Sequence, residues 1–113
     1  MHEMALCEGV LAIIAEEAKR HNFKRVRVVR LEIGKLGPVE PQAMGFCFGA
    51  VSRGTIAESA RVELIDVPGE AWCMRCSKIV AITHRLDPCP VCGGYQLQVT
   101  AGDDLRVKDL EVD

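Results

Sequence analysis

Two cysteine pairs, Cys73-Met-Arg-Cys76 and Cys89-Pro-Val-Cys92, constrain this chain more than any other feature. They take four of its six cysteines and are separated by twelve residues, Ser77 to Pro88. Two residues between cysteines let a tight turn aim both sulfurs at one ion. Two such turns on facing hairpins complete a tetrahedron of soft ligands. Four thiolates leave no open position for water, so a structural zinc is the expected occupant. An iron with the same ligands suits the sulfurs as well, and a redox dithiol would need only one pair. Gly93, directly after the second pair, tolerates backbone that folds N–H groups back onto sulfur. A lobe of roughly thirty residues cannot build a core without such a staple.

Composition narrows the class. At 113 residues the chain is expected to form one compact unit with a small appended lobe. It is 49% hydrophobic and 27% charged, which excludes wholesale disorder. A formal net charge of −2 gives no global basic field for holding nucleic acid or an anionic membrane. The longest apolar stretch, Val10 to Ala15, is too short to cross a bilayer. Met1-His2-Glu3 lacks the basic start and apolar core of a secretory signal. A cytoplasmic protein without a membrane partner is expected, its cysteines reduced and available as ligands.

Hydrophobic periodicity predicts the elements. Met4, Cys7, Leu11, Ile14 and Ala18 make a helical stripe over residues 4–21, with Asn22 a left-handed stop. Arg25 to Leu36 reads as a strand whose alternation slips after Val28, as at a bulge or where both faces are partly covered. Pro41 suits the first turn of a second helix, with an apolar face of Ala43, Met44, Phe46, Cys47 and Val51. Gly45 and Gly49 argue against its regularity, and Gly54 stops it. Arg61–Val67 and Leu105–Val112 read as strands. Ile79–Ile82 and Leu97–Thr100 are short β-prone runs. The expected fold is α/β: a small sheet of about three strands packed by two helices, with an inserted zinc-ribbon-like β-hairpin lobe. Residues 1–68 and 101–113 form the α/β domain and 69–100 the lobe, with Pro68-Gly69 and Ala101-Gly102 as hinges.

His2 is the second candidate ligand. A histidine directly after a free α-amine offers the Met1 amine, the His2 amide nitrogen and the His2 imidazole on one tether. Ni(II) and Cu(II) displace an amide proton and accept planar nitrogen geometry, whereas zinc prefers a tetrahedron. The first N–H groups of a helix have no intrahelical acceptor, so such an amide is free to be given to a metal. A carboxylate from Glu3 or Glu40 would offset the cation at the positive helix end. From the residues alone a frayed, solvated His2 is the commoner outcome. Cys7 and Cys47 fall on apolar helix faces and are expected as buried thiols, and His84 as a solvated hairpin histidine.

The chain also resembles a known family, the HypA/HybF hydrogenase-maturation nickel metallochaperones. The resemblance is carried by Met1-His2-Glu3-Met4-Ala5-Leu6, Leu31-Glu32-Ile33-Gly34-Lys35-Leu36, Val39-Glu40-Pro41 and Gly54-Thr55-Ile56-Ala57-Glu58. It continues through both cysteine pairs, with Cys89-Pro90-Val91-Cys92-Gly93, to Leu105-Arg106-Val107-Lys108. The resemblance implies nickel on His2, with the Met1 amine and Glu3 backbone as neighbours. It implies zinc on Cys73, Cys76, Cys89 and Cys92. It further implies delivery of Ni(II) to the large subunit of a nickel–iron hydrogenase, with a nickel-binding GTPase, and in some relatives service to urease maturation. The expected assembly is a monomer or weak homodimer, and no enzymatic activity is expected. Proton competition for amine and imidazole would weaken nickel binding in acid. The competing reading is a zinc-ribbon module for nucleic acid or protein, favoured by the basic residues Lys19, Arg20, Lys24, Arg25, Arg27 and Arg30. Scarce aromatics for base stacking count against it.

Overall fold

The structure, a computed structural model, describes the backbone from His2 and side chains from Glu3 to Asp113. Its elements are α1 (His2–His21), β1 (Val26–Gly34), α2 (Pro41–Val51), β2 (Arg61–Val67), β3 (Gly69–Cys73), β4 (Lys78–Ile82), β5 (Leu97–Ala101) and β6 (Leu105–Val112). Two three-stranded sheets are ordered β2-β1-β6 and β4-β3-β5. The expected α/β architecture of two helices, a small sheet and a β lobe is what forms.

The chain divides into two compact units. Unit 1 comprises Met1–Leu31, Val39–Leu64 and Val107–Asp113; unit 2 comprises Glu32–Pro38 and Ile65–Arg106.

In unit 1, α1 buries Cys7, Val10 and Ile14, the central part of the predicted stripe. Met4, read as its first member, is 38% exposed, because it lies one turn before the first residue that α2 covers. Asn22 has φ +57°, the left-handed stop expected of it. Pro41 opens α2, where its missing N–H and fixed φ cost nothing. Glu40 caps that helix, its carboxylate accepting from Ala43 N at 2.7 Å. Gly45 and Gly49 leave α2 intact: a Cβ at either would meet open space. Met44, Cys47 and Phe48 form its buried face, but Phe46, expected on that face, is 80% exposed. At i+2 from Met44 it points to the far side of the helix. The slip in β1 is real, since both Val28 and Val29 are buried.

In unit 2, β3 pairs antiparallel with β4 (Trp72 opposite Ile79) and with β5 (Trp72 opposite Gln98), with an irregularity at Glu70/Ala71. The sheet is built on a central strand, β3, that was not predicted. Gly69, read as a hinge, is its first residue. There a Cβ would lie 2.6 Å from both Ile82 O and Leu36 Cγ, so only glycine permits the approach. The unit takes in more chain than residues 69–100. Gly34 N donates to Asp104 O, Lys35 N to Val67 O and Leu36 N to Gly102 O, at 2.8–3.0 Å. Leu36 is buried in the same core as Ala71, Val80 and Ile82.

Gly34 is the tightest of these crossings. A Cβ there would stand 2.2 Å from the Gly102 carbonyl and 2.7 Å from Asp103 N. Both obstacles are backbone, so relief requires main-chain displacement. Gly34→Ala is expected to destabilise unit 2 by at least about 1–3 kcal/mol, read as a shifted chemical-denaturation midpoint.

Candidate metal centres

The first sulfur pair is set where β3 hands over to β4. Ser77 N donates to Cys73 O at 2.8 Å and Ser77 takes φ +53°, closing a turn that brings Cys76 back toward Cys73. Cys76 N points at Cys73 Sγ, 3.4 Å away. The second pair repeats this arrangement. Gly93 N donates to Cys89 O at 2.8 Å with φ +73°, while Val91 N and Cys92 N point at Cys89 Sγ at 3.4 and 3.5 Å. The left-handed residue falls one position after each second cysteine, glycine in one turn and serine in the other. Met74 N donates to Gln96 O at 3.0 Å and Cys89 N to Gly94 O at 2.7 Å, tying both turns to their neighbours.

These turns converge. The four ligand sulfurs lie within 4.8 Å of one another, with Cys73–Cys92 at 3.7 Å and Cys76–Cys89 at 3.9 Å. A tetrahedron with metal–sulfur bonds of about 2.3 Å has edges of about 3.8 Å. The cluster therefore fits a tetrahedral zinc. Its electrostatics call for a cation. Backbone N–H groups of Cys92 and Val91 draw the Cys89 thiol down to about 6 against the cost of burial. Burial, then the neighbouring sulfurs, push Cys76 up to about 12. Four sulfurs this close ionise together only around a positive ion. Among the described residues no other three His, Cys, Asp or Glu groups converge in this way. His84 is exposed, in a turn closed by Asp87, and stands outside the cluster.

The candidate nickel residues sit at the start of α1. Met1 and the side chain of His2 lie outside the described residues. Glu3 occupies the first turn, and its Oε2 accepts weakly from Glu40 N at 3.4 Å. The start of α1 and the N-cap of α2 are thus adjacent. Glu40 commits Oε2 to Ala43 N, leaving its other oxygen free of that bond. Cys7 and Cys47 are buried. Burial, then Cys47 and Glu3, push the Cys7 thiol up to about 11, so it stays protonated at neutral pH.

Four of the six basic residues pair with carboxylates, and Arg25, Arg27 and Arg30 do so with partners distant in sequence. Arg30 binds Glu63 at 2.8 Å, Asp109 at 2.9 Å and also Glu111. Arg27 pairs with Glu111 and Asp113, Arg25 with Asp113 and Arg20 with Glu17. The Arg30 hub on β1 binds carboxylates from both neighbouring strands, Glu63 of β2 and Asp109 and Glu111 of β6, and Glu63 is drawn below the usual carboxylate range mainly by Arg30 and then Arg61. No sequence pattern announces this hub.

Comparison with known proteins gives concordant matches. The family model described as hydrogenase/urease nickel incorporation, metallochaperone, hypA, matches residues 1–112. A hydrogenase maturation factor HypA of Rhodopseudomonas palustris (strain BisA53) is 65% identical, with 100% of both chains covered. HypA 2 of Bradyrhizobium diazoefficiens is 58% identical, again over 100% of both. Among solved structures, the Ni metallochaperone HypA from Helicobacter pylori superposes with a TM-score of 0.75 at 20% identity, covering 97% of this chain and 96% of that one. At that identity the likeness speaks for the fold.

Proposed function

This chain belongs to the HypA family of hydrogenase and urease nickel-incorporation metallochaperones, and from that premise we propose that it captures Ni(II) at its amino terminus for delivery to the large subunit of a nickel–iron hydrogenase. The ligands are the Met1 amine, the His2 amide and imidazole, and the Glu3 backbone. The observation that carries the reading is that α1 begins at His2. The first-turn amides have no intrahelical acceptor there, so metal binding competes with no ladder bond. A cation at the positive helix end is disfavoured, and the Glu3 and Glu40 carboxylates at the adjacent helix starts offset that charge. A shallow terminal chelate can both capture and release its cargo.

Cys73, Cys76, Cys89 and Cys92 would hold a resident zinc, which supplies cross-linking rather than chemistry because four thiolates fill its shell. The chain is a carrier and not an enzyme. Its partners are a nickel-binding maturation GTPase and the recipient subunit, with urease maturation proteins as a second destination. It works as a monomer or weak homodimer in the cytoplasm; among the described residues no helix is long and apolar enough to cross a membrane. Nucleic-acid binding is disfavoured because Arg20, Arg25, Arg27 and Arg30 are already paired with carboxylates.

The test is a nickel titration of protein beginning at its genuine Met1, before and after selective acetylation of the α-amine. One Ni(II) per chain is expected, with absorption of planar nitrogen coordination, and acetylation abolishes that binding while zinc content stays constant. Undiminished nickel affinity after acetylation would refute the ligand set.

A further inference from the structure

β6 is an edge strand. The order β2-β1-β6 leaves one of its sides without a neighbour, and its eight residues offer an unpaired backbone row to another strand. Its alternation breaks once, at the middle. Val107 and Leu110, three positions apart, both line a groove of about 390 Å³ against Ile13 of α1 and Phe23, and Val112 follows Leu110 there. Asp109 and Glu111 instead turn to Arg30, whose strand neighbours Val29 and Leu31 are buried. Lys108 and Asp109, at the break, are both exposed. The backbone slips in step. Asp104 O accepts from Gly34 N, and Asp113 N donates to Arg25 O. Both residues therefore turn toward the β1 side, although strict alternation from 104 to 113 would turn them opposite ways.

We propose that the free edge of β6 pairs antiparallel with β6 of a second copy of this chain, joining two three-stranded sheets into one. Two identical antiparallel strands are related by an axis along the sheet normal, so residues placed opposite each other must face the same side. In an unbroken strand that condition sets one residue opposite itself, here a central lysine or aspartate. The slip at Lys108-Asp109 removes the constraint. One register then keeps like faces together along the whole strand. It sets Val107 opposite Leu110, Leu105 opposite Val112, Lys108 opposite Asp109 and Arg106 opposite Glu111. Counted by twos from Asp104 and back from Asp113, the first two pairs turn their N–H and C=O groups away from β1 and exchange them across the seam. The last two pairs set opposite charges in register. Every charged residue of the strand thereby meets its opposite, which points to a second copy as the occupant. Both α1 helices fall on one side of the joined sheet. The two grooves meet beneath the seam and cover Ile13, 49% exposed in the single chain, and Val112, 38% exposed. A contact of one strand and one groove edge per chain is small, as suits an assembly that forms and parts.

The seam is tested by sedimentation of zinc-loaded protein over a dilution series, with hydrogen exchange measured at both ends of the series. A monomer–dimer equilibrium is expected, and the Val107 and Leu110 amides gain protection in the dimer. Lys108→Asp sets carboxylate against carboxylate at two places about the axis and should weaken dimerisation by at least about tenfold. Asp109→Lys should do the same, with lysine against lysine. Mixed in equal amounts, the two variants present complementary strands, and native mass spectrometry should record their heterodimer in preference to either homodimer. Retained zinc and a protected Ser52 amide, bonded to Phe48 O, verify the folding of each variant. A protein monomeric at every concentration would overturn the proposal and leave the edge to a foreign strand. So would a dimer indifferent to Lys108→Asp, a dimer whose Val107 and Leu110 amides exchange as in the monomer, or folded variants that do not pair when mixed.

Discussion

Cys73→Ala is expected to cost the protein its zinc and, with it, the ordered structure of unit 2. The buried core of that unit consists of Leu36, Ala71, Cys73, Val80, Ile82 and Cys89, with Cys76, Cys92, Leu97 and Val99 packed against it. Four of those ten residues are the cysteines themselves, so the apolar side chains left to drive folding are few and small. Structural zinc in small metal-folded units contributes about 10–16 kcal/mol of apparent binding free energy. A whole domain is ordinarily stable by only about 5–15 kcal/mol. Removing one of four thiolates therefore takes away a term as large as the unit's stability. Unit 1 has a core of its own in Ile14, Val26, Val29, Leu31, Met44 and Phe48 and should persist. Hydrogen exchange separates the two outcomes. The Met74 and Cys89 amides, bonded to Gln96 O and Gly94 O, should lose protection, while Ser52 N, bonded to Phe48 O, keeps it. Persistent protection at Met74 and Cys89 in zinc-free protein would mean that the sheet stands without its metal.

Local chemistry made the four-cysteine centre legible. Each pair encodes its own turn, and Gly93 declared its left-handed backbone in advance. The strands Arg61–Val67 and Leu105–Val112 emerged with their predicted bounds. β3 was hidden because Pro68-Gly69 has the composition of a turn. Gly69 is instead demanded by Ile82 O and Leu36, which meet it only after folding. Glu40 was noted as a carboxylate near the metal, but not as the cap of α2. Glutamate is not among the favoured capping residues, and the Ala43 bond follows from the backbone geometry here. The Arg30 hub joins residues 33, 79 and 81 positions apart. Strand periodicity marks Arg30 as outward-facing but says nothing of which carboxylates the folded sheet brings to it. The same limit applies to the Cys7–Met44 sulfur contact: the two are 37 positions apart, and only helix packing joins them.

His2→Ala is expected to abolish productive nickel binding while zinc and fold remain. In the proposed chelate the imidazole closes a ring on the His2 amide nitrogen. Without it, the amine, the His2 amide and the Glu3 backbone are left with no imidazole to anchor the metal, too weak a set to displace amide protons at neutral pH. Outer-shell ligand partners alone are worth about 10–100-fold in metal affinity, so losing a direct ligand and a ring should exceed about 100-fold. Folding should not suffer, because alanine is the strongest helix former and the buried stripe of α1 begins only at Cys7. The two substitutions thus act in opposite directions. Cys73→Ala removes zinc and spares the amino-terminal chelate, whereas His2→Ala removes nickel and spares unit 2. Measuring both metals in both variants gives a two-by-two pattern that neither a purely structural amino terminus nor a nickel-binding cysteine cluster can produce. The protein must carry its genuine start, since a tag converts the amine to an amide and removes the first ligand before the experiment begins. Equal nickel affinity of wild type and His2→Ala under those conditions would disprove the imidazole's role and move the cargo site elsewhere in the chain.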